Sequence, residues 1–238
     1  MPDAVIVQHV RFEGPGRIRP WLDDAGYHVQ TVRLDLGDAL PDPWAVDFVV
    51  IMGGPMSVHD TAVHPWLAAE RAFVGQCLAR GTRLLGVCLG AQIIAAAAGV
   101  RVYRHSEPEI GWFPIEAVPL PGDVEALAFP PRAHVFHWHG ETFDLPPGAI
   151  HLATSAVCRH QAFQLGRAVI GLQFHVETTP SLLEGLVEHA AADLVSAPHV
   201  QSAGALLATP PEHYAAIEPL LDAVLTFLHT APAASGPC

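Results

Sequence analysis

A cysteine set between two glycines is the feature with the most chemical content: Gly86-Val87-Cys88-Leu89-Gly90-Ala91-Gln92, after an apolar run and before an alanine-rich stretch. Small neighbours give the backbone clearance for a sharp strand-to-helix turn that lifts one side chain out at a helix start. Cys88 is the side chain so presented. The free N–H groups and positive dipole at that helix end favour a thiolate and can stabilise an oxyanion. A thiol nucleophile needs a base, and the base needs an orienting acceptor. His175 and Glu177 supply both at the end of the run Val169-Ile170-Gly171-Leu172-Gln173-Phe174, since positions i and i+2 of a strand share a face. A glycine pair follows another strand end in Ile51-Met52-Gly53-Gly54-Pro55. The N–H of Gly54 with that of Leu89 would make a two-donor oxyanion hole, each donor worth about 2.7 to 4 kcal/mol of transition-state stabilisation.

Positioning these residues takes a parallel sheet. The apolar runs Ala4 to His9, Tyr27 to Leu34, Phe48 to Met52 and Leu84 to Val87 read as buried parallel strands. Helices are expected around Arg17 to Ala25, closed by Gly26, and over Pro65 to Arg80, ending at Gly81. The first hundred residues therefore read as a doubly wound α/β half, whose ligands sit at the carboxyl ends of strands. After Val100 come short pieces punctuated by Pro and Gly: Val100 to Arg104, Trp112 to Val118, Val135 to Trp138, His151 to Ser155, Ala162 to Leu165 and Val169 to Phe174. They indicate a small antiparallel or mixed portion. Thr178-Thr179-Pro180-Ser181 with Glu184 carries helix-start chemistry, so Ser181 to Val195 is expected to be helical. A last helix is expected from Pro211 to His229, with the segment between the two and the tail Ala231 to Cys238 loose. We read residues 1–238 as a single domain, with a core of about 4–196 and a helical extension of about 197–238.

Composition excludes several function classes. A net charge of −12 with 12 Lys plus Arg offers no clustered cations for phosphates, so no nucleic-acid partner is expected. The uncharged run Leu84 to Val100 is shorter than the roughly 20 residues of a membrane span and is broken by glycines, so no membrane association is expected. The cysteines at positions 77, 88, 158 and 238 form no CxxC and no close pair, and the chain start lacks a basic n-region. Reduced thiols in a cytoplasmic setting are the expectation. Cys77, Cys158 and Cys238 read as small apolar residues, and Trp112 and Trp138 as core or pocket wall. His134, His137 and His139 alternate along a strand as metal ligands can, but no partner has distinctive ligand spacing. A rim of the substrate pocket is read there instead, and neither metal nor cofactor is expected.

Taken together, Gly53-Gly54-Pro55, the segment Gly86 to Gln92 and Gln173-Phe174-His175-Val176-Glu177 resemble the class I (triad-type) glutamine amidotransferases over roughly Ala4 to Pro180. Glu109-Ile110-Gly111-Trp112 and His137-Trp138-His139-Gly140-Glu141 are similar to stand-alone members related to the amidotransferase domain of GMP synthase. The family commonly has Pro where Val176 stands and Asp where Glu141 stands; neither change removes a catalytic group. The resemblance implies a flavodoxin-like fold and hydrolysis of the glutamine side-chain amide, with Cys88 attacking, His175 protonating ammonia and Glu177 orienting His175. It also implies substrate contacts from Gly53 and Gln92 and from the backbone around His139, Gly140 and Glu141. After Pro180 there is room for about two helices, so an ammonia-accepting synthetase is expected on a separate protein. The same thioester chemistry would serve a γ-glutamyl peptidase or hydrolase, and a third reading is a regulatory subunit whose triad is idle.

Overall fold

The computed structural model describes residues 1–120, 122 and 124–232. Nine strands form one sheet in the order β2-β1-β3-β4-β9-β8-β7-β5-β6. β1 (Asp3–Gln8), β2 (His28–Arg33), β3 (Phe48–Ile51), β4 (Arg83–Val87) and β9 (Val169–Leu172) run parallel. β5 (Val102–Ala117), β6 (Arg132–Phe143), β7 (Ile150–Ser155) and β8 (Ala162–Leu165) add an antiparallel half.

The register explains why the inner parallel strands β1, β3, β4 and β9 are largely apolar, in contrast to the edge strand β2. Val5, Val49, Leu84 and Val169 align across the sheet on one face, and Ile6, Val50, Leu85 and Ile170 align on the other. The first row packs against α2 (Trp66–Arg80) and α3 (Leu89–Ala97). The second packs against α1 (Ile18–Asp24) and Ile217, Leu221 and Val224 of α6 (Pro211–His229). Burial on both faces removes the polar alternation of a half-exposed strand, and each such aliphatic side chain contributes roughly 1.5–3 kcal/mol. Gly81, in the left-handed region at φ 77°, ends α2 as expected.

Four expectations are corrected. Tyr27 to Leu34 yields β2, an edge strand in which Val32 alone is buried, rather than a buried strand. The pieces Val100 to Arg104 and Trp112 to Val118 belong to one strand, β5, whose pairing with β6 is interrupted between Arg104 and Glu109 rather than broken by a turn. The bulge turns Glu109 onto its partner His139. The helix expected over Ser181 to Val195 is α4 (Pro180–His189), capped by Thr179, whose side chain accepts from the Leu182 N–H at 3.3 Å; it gives way to a 3-10 turn at Ala191–Asp193 instead of reaching Val195. The segment expected to be loose contains α5 (Ala203–Leu207), capped by Ser202 and anchored by the buried Leu206. The expectation for the tail falls largely on residues 233–238, outside the described residues.

The sheet curls until β6, last in the order, borders the chain that leaves β9. The His175 N–H donates to the Phe136 carbonyl at 2.8 Å. A buried polar cluster holds this curl. Glu109 Oε2 accepts from Gln161 Nε2 at 2.6 Å and from Ser155 Oγ at 3.0 Å, with His139 Nε2 at 3.4 Å and His137 Nδ1 at 3.6 Å. Burial opposes a charge on Glu109, yet His139, His137 and Ser155 hold its pKa below the ordinary carboxylate value. His137 is fully buried, neither ring nitrogen has a hydrogen-bond partner among the described residues, and burial drives its pKa down to about 3.

A neutral His137 carries no proton-linked cost above its ordinary pKa near 6.5. Below that the unfolded chain binds the proton and the folded chain does not, so stability falls progressively towards pH 3. Urea unfolding at pH 7, 5.5 and 4 should show this acid loss, on the order of a few kcal/mol, and His137→Phe should flatten it. An unchanged acid slope in the variant would contradict the assignment.

Candidate active site

Cys88 stands between β4 and α3 at φ 52° and ψ −109°, the one non-glycine residue with positive φ among the described residues. Such a conformation costs on the order of 1–3 kcal/mol and persists only where the surroundings over-determine it. They do so here. A Cβ on Gly86 would lie 2.6 Å from the Gly90 and Ala91 backbone, and one on Gly90 would run into the Ile51 carbonyl oxygen. Both glycines are therefore required for α3 to start directly over β3.

The Cys88 thiol is 6% exposed, with Sγ 3.5 Å from the Trp138 carbonyl. Trp138 is fixed in turn by its indole N–H, which donates to Asp193 at 3.0 Å. Burial pushes the Cys88 thiol pKa up, and the His175 imidazole and the Leu89 N–H pull it back. β9 ends at Leu172, so His175 and Glu177 lie just past the strand rather than on it. Their side chains meet nonetheless, His175 Nδ1 standing 2.7 Å from Glu177 Oε1. Burial opposes a charge on His175, but Glu177 and Cys88 together hold its pKa well above the ordinary value. Its Nε2 has no other partner among the described residues and faces the thiol. The loop from β1 to α1 secures Glu177: the Arg17 N–H donates to its carbonyl at 3.2 Å, and a Cβ on Gly16 would collide with that same oxygen.

The glycine pair lies beside this group. Gly54 packs so closely that a Cβ would be 2.9 Å from Leu89 Cδ2. The Gly53 carbonyl accepts from His9 Nδ1 at 2.8 Å, and His9 Nε2 meets Glu70 Oε1 at 2.9 Å; both side chains are wholly buried and Trp66 stacks on the imidazole. Burial opposes protonation of His9, but Glu70 and the Gly53 carbonyl raise its pKa. Every described peptide is trans, so the Gly54 N–H points opposite to the Gly53 carbonyl and away from His9.

The remaining sequence-derived residues fall around the same cleft. Gln92 Nε2 donates to Gln173 Oε1 at 3.2 Å, and Gln173 Nε2 reaches the Cys88 Sγ at 3.7 Å. The His139 ring turns inward to Glu109, and its Nδ1 donates to the Glu141 carbonyl at 3.2 Å, shaping the bend at the exposed Gly140. Glu109, His137 and His139 bring one ligand atom each within 4.8 Å of one another. Glu109 Oε2, the oxygen nearest both imidazoles, already accepts from Ser155 and Gln161, so a protein network accounts for it. His134 lies exposed and apart.

Sequence reasoning missed His9, Glu70, Gln161 and Glu13, and named Glu109 only within a segment similar to family members. Two signals were present: a histidine closing the apolar run of β1, and Glu70 amid Leu67, Phe73, Val74 and Cys77 on the buried face of α2. A separate cavity of about 250 Å³, lined by Arg17, Leu183, Tyr214 and neighbours, does not include Cys88. Among the described residues no helix is long and apolar enough to cross a membrane.

Comparison with known proteins gives the family and the fold. The family model "glutamine amidotransferase class-I" matches residues 18–188. The chain is 34% identical over 201 residues to the glutamine amidotransferase-like protein YfeJ of Salmonella typhimurium, covering 80% of this chain and 82% of that one. It is 33% identical over 151 residues to the glutamine-hydrolysing GMP synthase of Aeropyrum pernix, covering 63% of this chain but 27% of that protein. The crystal structure of a glutamine amidotransferase from Methylobacillus flagellatus superposes with a TM-score of 0.90 at 29% identity, over 99% of this chain and 97% of that one. With a mostly parallel sheet flanked by helices and the glycine-flanked cysteine at its centre, the chain belongs to the class I glutamine amidotransferases.

Proposed function

We propose that this protein hydrolyses the side-chain amide of glutamine through a γ-glutamyl thioester on Cys88. One observation carries the reading: a strained, buried cysteine at a helix start faces an imidazole whose far nitrogen is held by a carboxylate at 2.7 Å. Proton transfer from Cys88 to His175 gives a thiolate and an imidazolium. The thiolate attacks the amide carbon, and the oxyanion forms against the N–H groups of Gly54 and Leu89. The C–N bond breaks as the imidazolium protonates the leaving nitrogen, releasing ammonia. Water, deprotonated by His175, then cleaves the thioester to glutamate and restores the thiol. Glu177 keeps the imidazole in the required tautomer and stabilises its charge. Gly53, Gln92 and the backbone at His139, Gly140 and Glu141 form the substrate rim. The partner in this reading is an ammonia-accepting synthetase, supported by the GMP synthase relatives, in which the part matching this chain is a fraction of the protein.

In this mechanism His9 and Glu70 keep the oxyanion hole formed. Rotation of the peptide between Gly53 and Gly54 would turn the Gly54 N–H out of the site, and that rotation would break the bond from His9.

Ammonia release from glutamine, measured beside amine release from γ-glutamyl peptides, tests the reading. Turnover of glutamine with loss of about 10⁴-fold or more in Cys88→Ser is expected. A strong preference for the peptides would make the protein a γ-glutamyl peptidase. No turnover of either substrate, alone or with cell extract supplying a partner, would leave a regulatory subunit. For the loop, His9→Phe should lower kcat by about 10- to 100-fold, less than the roughly 10²–10³ loss typical of removing an oxyanion donor outright, at little change in KM. His9→Asn, whose amide can replace Nδ1, should recover part of it. A rise in KM at constant kcat would contradict the role given to His9.

A further inference from the structure

One carboxylate in the cleft has no place in that mechanism. Glu13, on the loop between β1 and α1, lies over Gly53: a Cβ there would overlap Glu13 Oε2 and stand 3.4 Å from His175 Cε1. The carboxylate, the Gly53 backbone and the edge of the imidazole therefore share one small space. The fully buried carboxylates Glu70, Glu109 and Glu177 each have a hydrogen-bond partner, from His9, from Ser155 and Gln161, and from His175. Among the described residues, no hydrogen bond or ion pair reaches Glu13. Glu13 is half-buried rather than fully enclosed; burial and the repulsion of Glu177 and Asp193 outweigh the pull of His175 and His9, and its pKa is pushed up to about 7.

An unpaired carboxylate here works against the proposed chemistry, because it raises the pKa of the Cys88 thiol and would repel an oxyanion beside it. Beyond the two imidazoles, no cation is paired with it among the described residues: the chain has no lysine, and Arg17 is paired with Glu218. A positive charge brought by the substrate would remove the conflict, and would do so only when substrate is bound. Every γ-glutamyl compound carries an α-ammonium, and a diamine leaving group carries a second.

We propose that Glu13 is an ammonium-binding carboxylate that recognises a cationic group of the γ-glutamyl substrate. The inference rests on the reading of Cys88 as nucleophile, and it adds the charge that the substrate must present on the Gly53 side of the cleft.

Calorimetric binding to Cys88→Ala protein, compared with Cys88→Ala/Glu13→Gln, tests it with two matched pairs. The first pair is glutamine and its des-amino analogue 4-carbamoylbutanoate; the second is γ-glutamyl-1,4-diaminobutane and γ-glutamylbutylamine. Loss of one charge-assisted hydrogen bond should weaken a ligand carrying the recognised ammonium by about 10- to 100-fold. If the α-ammonium is the group held, every ligand but 4-carbamoylbutanoate weakens. If the leaving-group ammonium is held, the diamine conjugate alone weakens. Equal loss for all four ligands, no loss for any, or no binding of any to Cys88→Ala would overturn the proposal. Glutamine hydrolysis by the otherwise unaltered protein is measured alongside. Its absence with ammonium discrimination intact would remove the hydrolytic reading and leave Glu13 as a recognition residue.

Discussion

The turn from β4 into α3 approaches β3 so closely that no side chain fits at Gly90, and the rest of the cleft depends on that approach. Because Gly90 rests on the Ile51 carbonyl and Gly86 on the backbone of Gly90 and Ala91, Cys88 is forced into the left-handed region and out over the sheet. The aligned rows Val5-Val49-Leu84-Val169 and Ile6-Val50-Leu85-Ile170 supply far more burial energy than the roughly 1–3 kcal/mol of local strain. The strain is therefore sustained by the sheet, and the same turn leaves the first amides of α3 next to the thiol.

Electrostatics then decide what the thiol can do. Burial favours the protonated form of Cys88 and, taken alone, the neutral form of His175. Glu177 and Cys88 together outweigh the second effect and hold the His175 pKa well above its ordinary value, so a proton leaving sulfur has a stable destination. Glu13 acts in the opposite direction on Cys88. The site is thus balanced between a carboxylate that supports the imidazolium and one that opposes the thiolate, a balance that a cationic substrate would tip. His9 and Glu70 form a second buried imidazole–carboxylate pair, this one directed at a peptide carbonyl.

Much of this was legible in the residues because its cause is local. Strands buried on both faces are continuous apolar runs, Gly81 stops α2 where its left-handed φ is needed, and Cys88, His175 and Glu177 each stand at a strand end. What the sequence did not disclose is set by distant partners. His9 and Glu70 meet across 61 positions, and Gln161 meets Glu109 across 52; neither pair has a spacing to read. β5 reads as two pieces because its pairing with β6 lapses between Arg104 and Glu109, across Pro108, and because Gly111, which sits at φ 129°, is held in the strand by pairing with His137 and by Gln201 packed over it. α5 is short and rich in small residues, and it is anchored by one leucine, Leu206, buried against the body of the protein.

The account's central claim is that the fold singles out Cys88 among the buried thiols as the nucleophile. It is tested most directly by mass spectrometry after incubation with a glutamine analogue whose side chain ends in an electrophilic diazoketone. Cys77 and Cys158 are also buried, but neither faces an imidazole–carboxylate pair; burial pushes the Cys77 thiol up to about 12 and raises that of Cys158. A single stoichiometric adduct on Cys88, lost in His175→Ala, is the predicted result. Modification of Cys77 or Cys158 in its place, or an unmodified Cys88, would contradict the account.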